Sequence, residues 1–211
     1  MAQNDFEQRH LDTLDRDLNR FSALEQATAY ASRPMMGLGV SLVFILVAGL
    51  VAFYLFGQTG NTLVVVIAAG FGAYMALNIG ANDVANNMGP AVGANALTMG
   101  GAIAIAAVFE SAGALLAGGD VVSTIAKGII APQSMQTASI FIWAMLAALL
   151  SAALWVNLAT WIGAPVSTTH SVVGGVMGAG IAAAGFAAVN WPTMHKIAAS
   201  WVISPVLGGV I

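Results

Sequence analysis

The stretch "NIGANDVANNMGP", residues 78–90, places one carboxylate, four asparagines, two glycines and a proline between two apolar runs. A carboxylate at the centre of a bilayer costs on the order of 3 kcal/mol on insertion scales. We therefore expect Asp83 to face a cavity, an ion or a hydrogen-bond donor. The alternative is a loop at the water interface, where such residues cost little. The surrounding sequence has to decide between the two.

The whole chain has the composition of a membrane protein. Of its 211 residues, 59% are hydrophobic and only 7% are charged, with a mean hydropathy of +0.86, whereas soluble domains average about 25% charged residues. Ten of the fifteen charged residues lie within residues 1–33. The absence of cysteine excludes disulfides and thiolate metal sites. The chain also lacks the basic run that would indicate nucleic-acid binding.

Residues 1–33 are predicted to form a cytoplasmic amphipathic segment. Their apolar side chains recur every three to five residues, which makes one stripe on an otherwise charged helix that suits a membrane surface or another subunit. Residues 34–57 carry no charge and are long enough to span a bilayer as an additional transmembrane helix. Four arginines precede this span and none follows in the next loop, so the positive-inside rule predicts a cytoplasmic N-terminus.

The later apolar runs predict the fold class. Lipid-exposed backbone must be paired inside a helix or a closed barrel, and these runs lack the alternation of strands. We expect an all-α, polytopic membrane helix bundle with discontinuous helices, in a bacterial inner membrane. The apolar runs are residues 62–77, 91–118, 137–162 and 172–189. Residues 119–136 are predicted to form a loop or a short half-inserted element, and residues 190–196 a polar loop.

Two further expectations concern packing and chain length. The spacing of Gly174 and Gly178 predicts a close approach between helices. The last apolar run is too short to span a bilayer. We therefore expect the chain to be the first part of a longer protein.

The first polar interruption has the chemistry of an ion site. Gly80, Gly89 and Pro90 are expected to break or bend the helix around residues 78–90. A break exposes backbone carbonyl groups at one half-helix end and N–H groups at the other. Carboxylate, amide and carbonyl oxygens suit a hard cation, and a carboxylate can instead carry a proton. The sequence therefore predicts a site for Na⁺ or H⁺ in this stretch, and the candidate ligands for Na⁺ are Asn82, Asp83 and Asn86.

The second interruption, "GAPVSTTHS" at residues 163–171, has the chemistry of an anion site. Three consecutive hydroxyl residues, Ser167, Thr168 and Thr169, would crowd the first turn of a helix, where backbone N–H groups are unpaired. Together with the positive end of the helix dipole they would bind an oxyanion without lysine or arginine. Ordinary N-capping needs only one hydroxyl. His170 is expected to hydrogen-bond within the packing, with carboxylate pairing and proton shuttling as alternatives.

A further candidate is Glu110, which lies inside an apolar run, because an intramembrane carboxylate is functional by default. An Asp- and Asn-rich break and a hydroxyl-rich break together describe how secondary transporters build a site for an anion and its coupling cation. The function class predicted from the residues is therefore transport.

Three segments resemble the inorganic phosphate transporter (PiT) family over residues 62–211. They are "GANDVANNMGPAVGANALT", "FESAGALLAGGDVVSTIAKGII" and "PVSTTHSVVGGVMGAG". The resemblance implies a core of two inverted repeats, with residues 62–211 as the first repeat, truncated at its C-terminal end. It also implies symport of inorganic phosphate with Na⁺ or H⁺, no other cofactor, no catalytic residue and no enzymatic activity.

The resemblance also assigns roles to single residues. Phosphate would be bound by Asn82, Asp83, Ser167, Thr168 and Thr169, and the coupling cation by Asp83, Asn86 and Glu110. The family often has a small residue where this chain has Asn87. The sequence leaves open the choice between Na⁺ and H⁺, and between phosphate and arsenate, sulfate or a metal–phosphate complex. The glycine-rich faces and the amphipathic N-terminus would allow a homodimer in the lipid bilayer.

Two other function classes compete with transport. One is a channel or a structural membrane subunit. The other is an intramembrane serine hydrolase that uses Ser167 or Ser171 with His170 and Asp83, since these are the residue types of a catalytic triad. The hydrolase lacks a G-x-S-x-G motif, and its hydroxyl and imidazole groups would be neighbours in sequence, which makes the required geometry hard to reach.

Overall fold

The computed structural model describes residues 36–58 and 60–210. Six α-helices follow one another in the described chain. They are α1 (Met36–Phe56), α2 (Thr62–Gly93), α3 (Met99–Ser123), α4 (Ala138–Trp161), α5 (Thr168–Ala184) and α6 (Trp191–Val210). A π-helical turn, Thr124–Gly128, extends α3, and short 3₁₀ turns lie at Pro132–Ser134 and Phe186–Ala188. The all-α prediction is confirmed.

Four of the described helices are long and apolar enough to cross a membrane: α1, α2, α3 with its π-helical turn, and α4. The prediction of an integral membrane protein is therefore confirmed. The chain divides into two compact units whose boundary falls inside α1, between Val47 and Ala48. All the features below belong to the second unit. The predicted amphipathic segment, residues 1–33, lies outside the described residues.

The packing of α5 against α4 depends on one glycine. A Cβ atom at Gly175 would lie 2.7 Å from the backbone oxygen of Ala148 in α4, so only glycine allows this approach. Nothing lies within 4 Å of the corresponding position at Gly174 or Gly178. The close packing predicted at those two glycines is therefore wrong, although the principle that small residues let membrane helices approach holds one residue away.

Two apolar clusters hold the helices that carry the polar residues. One joins α2 to α4 through Met75, Ala152, Ala153 and Val156. The other surrounds Ile129 and Ile130, both fully buried beneath α5. These clusters fix where the polar face of α2 meets the start of α5.

The break predicted at residues 78–90 is not present, because α2 is continuous from Thr62 to Gly93. Pro90 lies in the last turn, where it removes one helical hydrogen bond only. Glycine in a helix costs about 1 kcal/mol relative to alanine, which is less than the cost of leaving backbone groups unpaired in lipid. The polar residues of this stretch are thus displayed on a helix surface.

The break between α4 and α5 is present and has a defined structure. Gly163 has φ of +71°, and the N–H groups of Gly163 and Ala164 donate to the carbonyl groups of Thr160 (3.1 Å) and Ala159 (2.8 Å). This is the Schellman pattern that ends a helix. The chain then runs through Pro165 to Ser167, the N-cap of α5. We call residues 162–167 the α4–α5 connection.

Two predicted loops are partly helical instead. In residues 119–136, α3 continues to Ser123 and its π-helical turn to Gly128. In residues 190–196, α6 already begins at Trp191, because Asn190 caps it by accepting a 3.2 Å hydrogen bond from the Thr193 N–H. A proline in the first helical turn has no N–H to satisfy. The polar residues of "NWPTMHK" therefore start a helix.

Candidate functional site

The polar face of α2 packs on the α4–α5 connection through Asn82, whose side chain is only 5% exposed. Its NH₂ group donates to Thr160 Oγ1 at 3.1 Å and to the Ala164 carbonyl oxygen at 3.4 Å. Its carbonyl oxygen accepts from the Asn86 NH₂ group at 2.9 Å and from the Val166 N–H at 3.5 Å. Both ends of this buried amide are therefore engaged by the protein itself.

A second contact joins the two predicted interruptions directly. Thr168, the first residue of α5, is 7% exposed. It donates its hydroxyl hydrogen to Asp83 Oδ2 at 2.7 Å, the usual length of an O–H···O hydrogen bond. Asp83 Oδ1 has no hydrogen bond to any described residue. The α2 carboxylate and the start of α5 thus form one cluster with a free carboxylate oxygen.

The first turn of α5 presents unused donors. Ser167 caps the helix by accepting the His170 N–H at 3.3 Å. Within the described part of the chain, the backbone N–H groups of Thr168 and Thr169 have no hydrogen-bond acceptor. Such groups, at the positive end of a helix dipole, bind anions.

The three hydroxyl residues of this turn face two directions. Thr168 is directed at α2, whereas Ser167 and Thr169 line a cavity of about 530 Å³ between α5, α6 and the end of α3. Other polar residues at its wall are Asp120, Thr124, Ser200 and Ser204. The hydroxyl cluster predicted from the sequence is therefore divided between a buried contact and an open cavity.

Asn86 supplies further oxygen atoms beside Asp83. Its NH₂ group donates to Asn82 Oδ1 at 2.9 Å and to the Val166 carbonyl oxygen at 3.5 Å, so its own Oδ1 is left without a partner among residues 36–58 and 60–210. Pro90 has no N–H, so the backbone carbonyl of Asn86, four residues earlier, loses its helical donor. A carboxylate oxygen, an amide oxygen and a backbone oxygen are the groups that coordinate alkali cations in transporters.

The structure does not bring Glu110 into this cluster. It lies on α3 with an exposed side chain and no hydrogen bond or ion pair within the described residues. The cation role assigned to Glu110 stays a prediction.

His170 packs through its ring. It stacks on Trp201 of α6 with the ring centroids 3.7 Å apart and the planes tilted by 31°. The side-chain hydrogen bond expected for it is not formed with any residue that the structure describes. Asp83 bonds to Thr168 and not to His170, so the triad required by the hydrolase alternative is not assembled.

Sequence reasoning missed three polar residues, Asn78, Asn157 and Thr160. Asn157 donates to Asn78 Oδ1 at 2.9 Å, and this bond joins α2 and α4 about one turn away from Asn82. Asn78 is 5% exposed and donates in turn to the Tyr74 carbonyl oxygen at 2.8 Å. The available signal was the spacing of Asn157 and Thr160, three residues apart on one face of an apolar helix.

The Phosphate transporter family profile matches residues 79–211. A "Putative phosphate permease" of Helicobacter pylori is 53% identical over 196 residues, which cover 92% of this chain and 37% of the relative. The "Inorganic phosphate transporter 2-1, chloroplastic" of Arabidopsis thaliana is 49% identical over 142 residues, which cover 67% of this chain and 24% of that protein.

A solved structure, "The sodium-dependent phosphate transporter", is also similar, with 43% identity and a TM-score of 0.62 over 80% of this chain and 37% of that chain. The chain spans a little over a third of the length of the Helicobacter relative. These similarities confirm the resemblance that was predicted from the sequence. The family they indicate is one of transporters and not of enzymes. The chain belongs to the Phosphate transporter family.

Proposed function

We propose that the protein carries inorganic phosphate across the membrane by symport with Na⁺. The observation that carries this proposal is the 2.7 Å hydrogen bond between Thr168 and Asp83. It supports the proposal because it joins the start of α5, where two N–H groups have no acceptor among the described residues, to the carboxylate of Asp83.

Phosphate is bound at the first turn of α5 in this proposal. The free N–H groups of Thr168 and Thr169 and the hydroxyl groups of Ser167 and Thr169 donate to its oxygens, and the helix dipole favours its charge. Thr168 orients this turn by its bond to Asp83. The described chain contains no arginine, and its two lysines, Lys127 and Lys196, do not line this turn.

The coupling follows from charge. Two unit charges 4 Å apart interact with about 4 kcal/mol at an effective dielectric constant of 20. The negative charge of Asp83 therefore opposes phosphate binding unless a cation lies between them. A cation on Asp83 Oδ1 and the oxygens of Asn86 offsets that repulsion, so that each ion raises the affinity for the other.

Na⁺ fits the oxygen set better than H⁺ does. A proton needs only the carboxylate, whereas the amide and backbone oxygens of Asn86 coordinate a metal cation without taking up a proton. The similar solved structure is titled a sodium-dependent transporter. Asn82, predicted as a direct ligand, has both ends of its amide engaged by protein groups, so we assign it a supporting role.

The same proposal covers the wider architecture. Residues 62–211 form the first of two inverted repeats, and the N-terminus is cytoplasmic in a bacterial inner membrane. Alternating access would come from rocking of the repeats about the site. A homodimer stays a prediction.

Uptake of radiolabelled phosphate into vesicles tests the proposal, with the protein produced from its intact gene. We expect accumulation against a phosphate gradient that requires an inward Na⁺ gradient and is lost in Ser167→Ala/Thr169→Ala. Equilibration without accumulation would indicate the channel alternative. Uptake driven equally well by a pH gradient in the absence of Na⁺ would contradict the choice of cation.

A further inference from the structure

We infer that Thr160 is a positioning residue for the coupling cation. It acts through Asn82 to orient the amide of Asn86, so that the Asn86 side-chain oxygen is left free for the ion. This inference rests on the proposed function, because it concerns the cation site described there.

The hydrogen bonds form a chain in which each donor points from α2 toward α4. Thr160 donates its hydroxyl hydrogen to the Val156 carbonyl oxygen at 2.8 Å. Its oxygen therefore serves as an acceptor toward Asn82, which donates to it at 3.1 Å. This fixes the NH₂ group of Asn82 toward α4 and its carbonyl oxygen toward Asn86, which donates at 2.9 Å.

Reversing the Asn82 amide would disturb the cation site. Its NH₂ group would then face the NH₂ group of Asn86, and two donors cannot pair. Asn86 would have to turn its own oxygen inward as the acceptor. The side-chain oxygen of Asn86 could then no longer coordinate the cation. Only the carboxylate of Asp83 and the backbone oxygen of Asn86 would remain as ligands.

The α4–α5 connection offers the Asn82 amide an acceptor and a donor that fit the same orientation. The Asn82 NH₂ group lies 3.4 Å from the carbonyl oxygen of Ala164, and its oxygen lies 3.5 Å from the N–H of Val166. These contacts are long and individually weak. The 3.1 Å bond to Thr160 is the shortest that the NH₂ group makes, so Thr160 is the group best able to select the orientation.

The test compares Thr160→Val, which removes the acceptor at nearly constant shape, with Thr160→Ser, which keeps it. The matched control is Asn157→Leu, which removes the neighbouring hydrogen bond between α2 and α4 without touching Asn82. We measure phosphate uptake as a function of Na⁺ concentration, normalised to the amount of protein in the membrane. Thr160→Val is expected to raise the Na⁺ concentration for half-maximal uptake about five- to tenfold, as for one lost hydrogen bond, with a smaller change in maximal rate.

Thr160→Ser and Asn157→Leu are expected to keep the Na⁺ dependence of the wild type within about twofold. A wild-type Na⁺ dependence in Thr160→Val overturns the inference, and so does an equal shift in Asn157→Leu, which would indicate general loosening of the α2–α4 contact. These outcomes leave the transport proposal untouched, because the wild type still accumulates phosphate in each of them.

Binding of radioactive sodium to the purified protein tests the positioning role of Thr160 separately from the proposed transport function. If the wild type binds Na⁺ without carrying phosphate, the proposed function fails while a weakened affinity in Thr160→Val still supports the positioning role. If the wild type binds no Na⁺, or if Thr160→Val binds it as the wild type does, the positioning role is wrong.

Discussion

Two regions of this chain contain both glycine and proline beside apolar runs, but only one of them interrupts a helix. Residues 78–90 contain two glycines, a proline and five polar side chains, yet they stay helical within α2. Residues 162–167 contain one glycine, one proline and one serine, and they form a complete break. Polar content therefore does not decide whether a membrane helix is interrupted.

Whether the helix is interrupted depends on where its backbone N–H and carbonyl groups find hydrogen-bond partners. At the break, Gly163 adopts the left-handed conformation of a Schellman motif, and Ser167 caps the next helix. In α2 the equivalent left-handed residue is Asn95, at φ +57°, and it comes only after Pro90. The polar side chains before it are displayed on an intact helix, and their partners lie at the end of α4, in the α4–α5 connection and at the start of α5.

The largest effect is expected from Asp83→Asn, which keeps an acceptor for Thr168 but removes the charge that attracts the cation. Na⁺-driven phosphate uptake should fall by about 100-fold or more, since an interaction of even 2.8 kcal/mol corresponds to that factor. Uptake is measured in vesicles and normalised to the amount of protein in the membrane. Uptake above a tenth of the wild-type rate would remove Asp83 from the cation site.

A pair of glycine substitutions tests the difference in backbone directly. Gly163→Ala places a side chain at φ +71° and should destabilise the protein by roughly 1–2 kcal/mol. Gly80→Ala has open space for its methyl group and should stabilise α2 by up to about 1 kcal/mol. Thermal unfolding of the purified variants gives the signs. Destabilisation by Gly80→Ala would show that α2 is not a regular helix at that point.

The smallest effect is expected from Pro90→Ala, which returns a helical donor to the backbone carbonyl of Asn86. If that oxygen contributes to the cation site, the Na⁺ concentration for half-maximal uptake should rise about twofold, as for roughly 0.5 kcal/mol, while thermal stability increases. Titration of uptake with Na⁺ measures the first quantity. A gain in stability with unchanged Na⁺ dependence would leave only the side chains of Asp83 and Asn86 as ligands.

The sequence was sufficient for the helical membrane fold, and it singled out Asp83 and Thr168, which the structure brings into contact. Uncharged apolar runs must be helices in lipid, and Asp83 and Thr168 were each predicted from their own surroundings. The continuity of α2 could not be predicted, because the partners of its polar face lie far along the chain, as in the bond from Asn82 to Thr160. Thr160 and Asn157 were missed because they are few and uncharged within a long apolar run, although their spacing places them on one face of α4.

The central claim is that the polar face of α2 and the start of α5 form one site, joined by Asp83 and Thr168. A double-mutant cycle with Asp83→Ala and Thr168→Val, each of which removes the hydrogen bond, measured by unfolding of the purified protein, tests it most directly. A hydrogen bond to a charged group contributes about 1.5–3 kcal/mol, so the account predicts a coupling energy of at least about 1.5 kcal/mol. Effects that add within about 0.5 kcal/mol, as for independent positions, would contradict it.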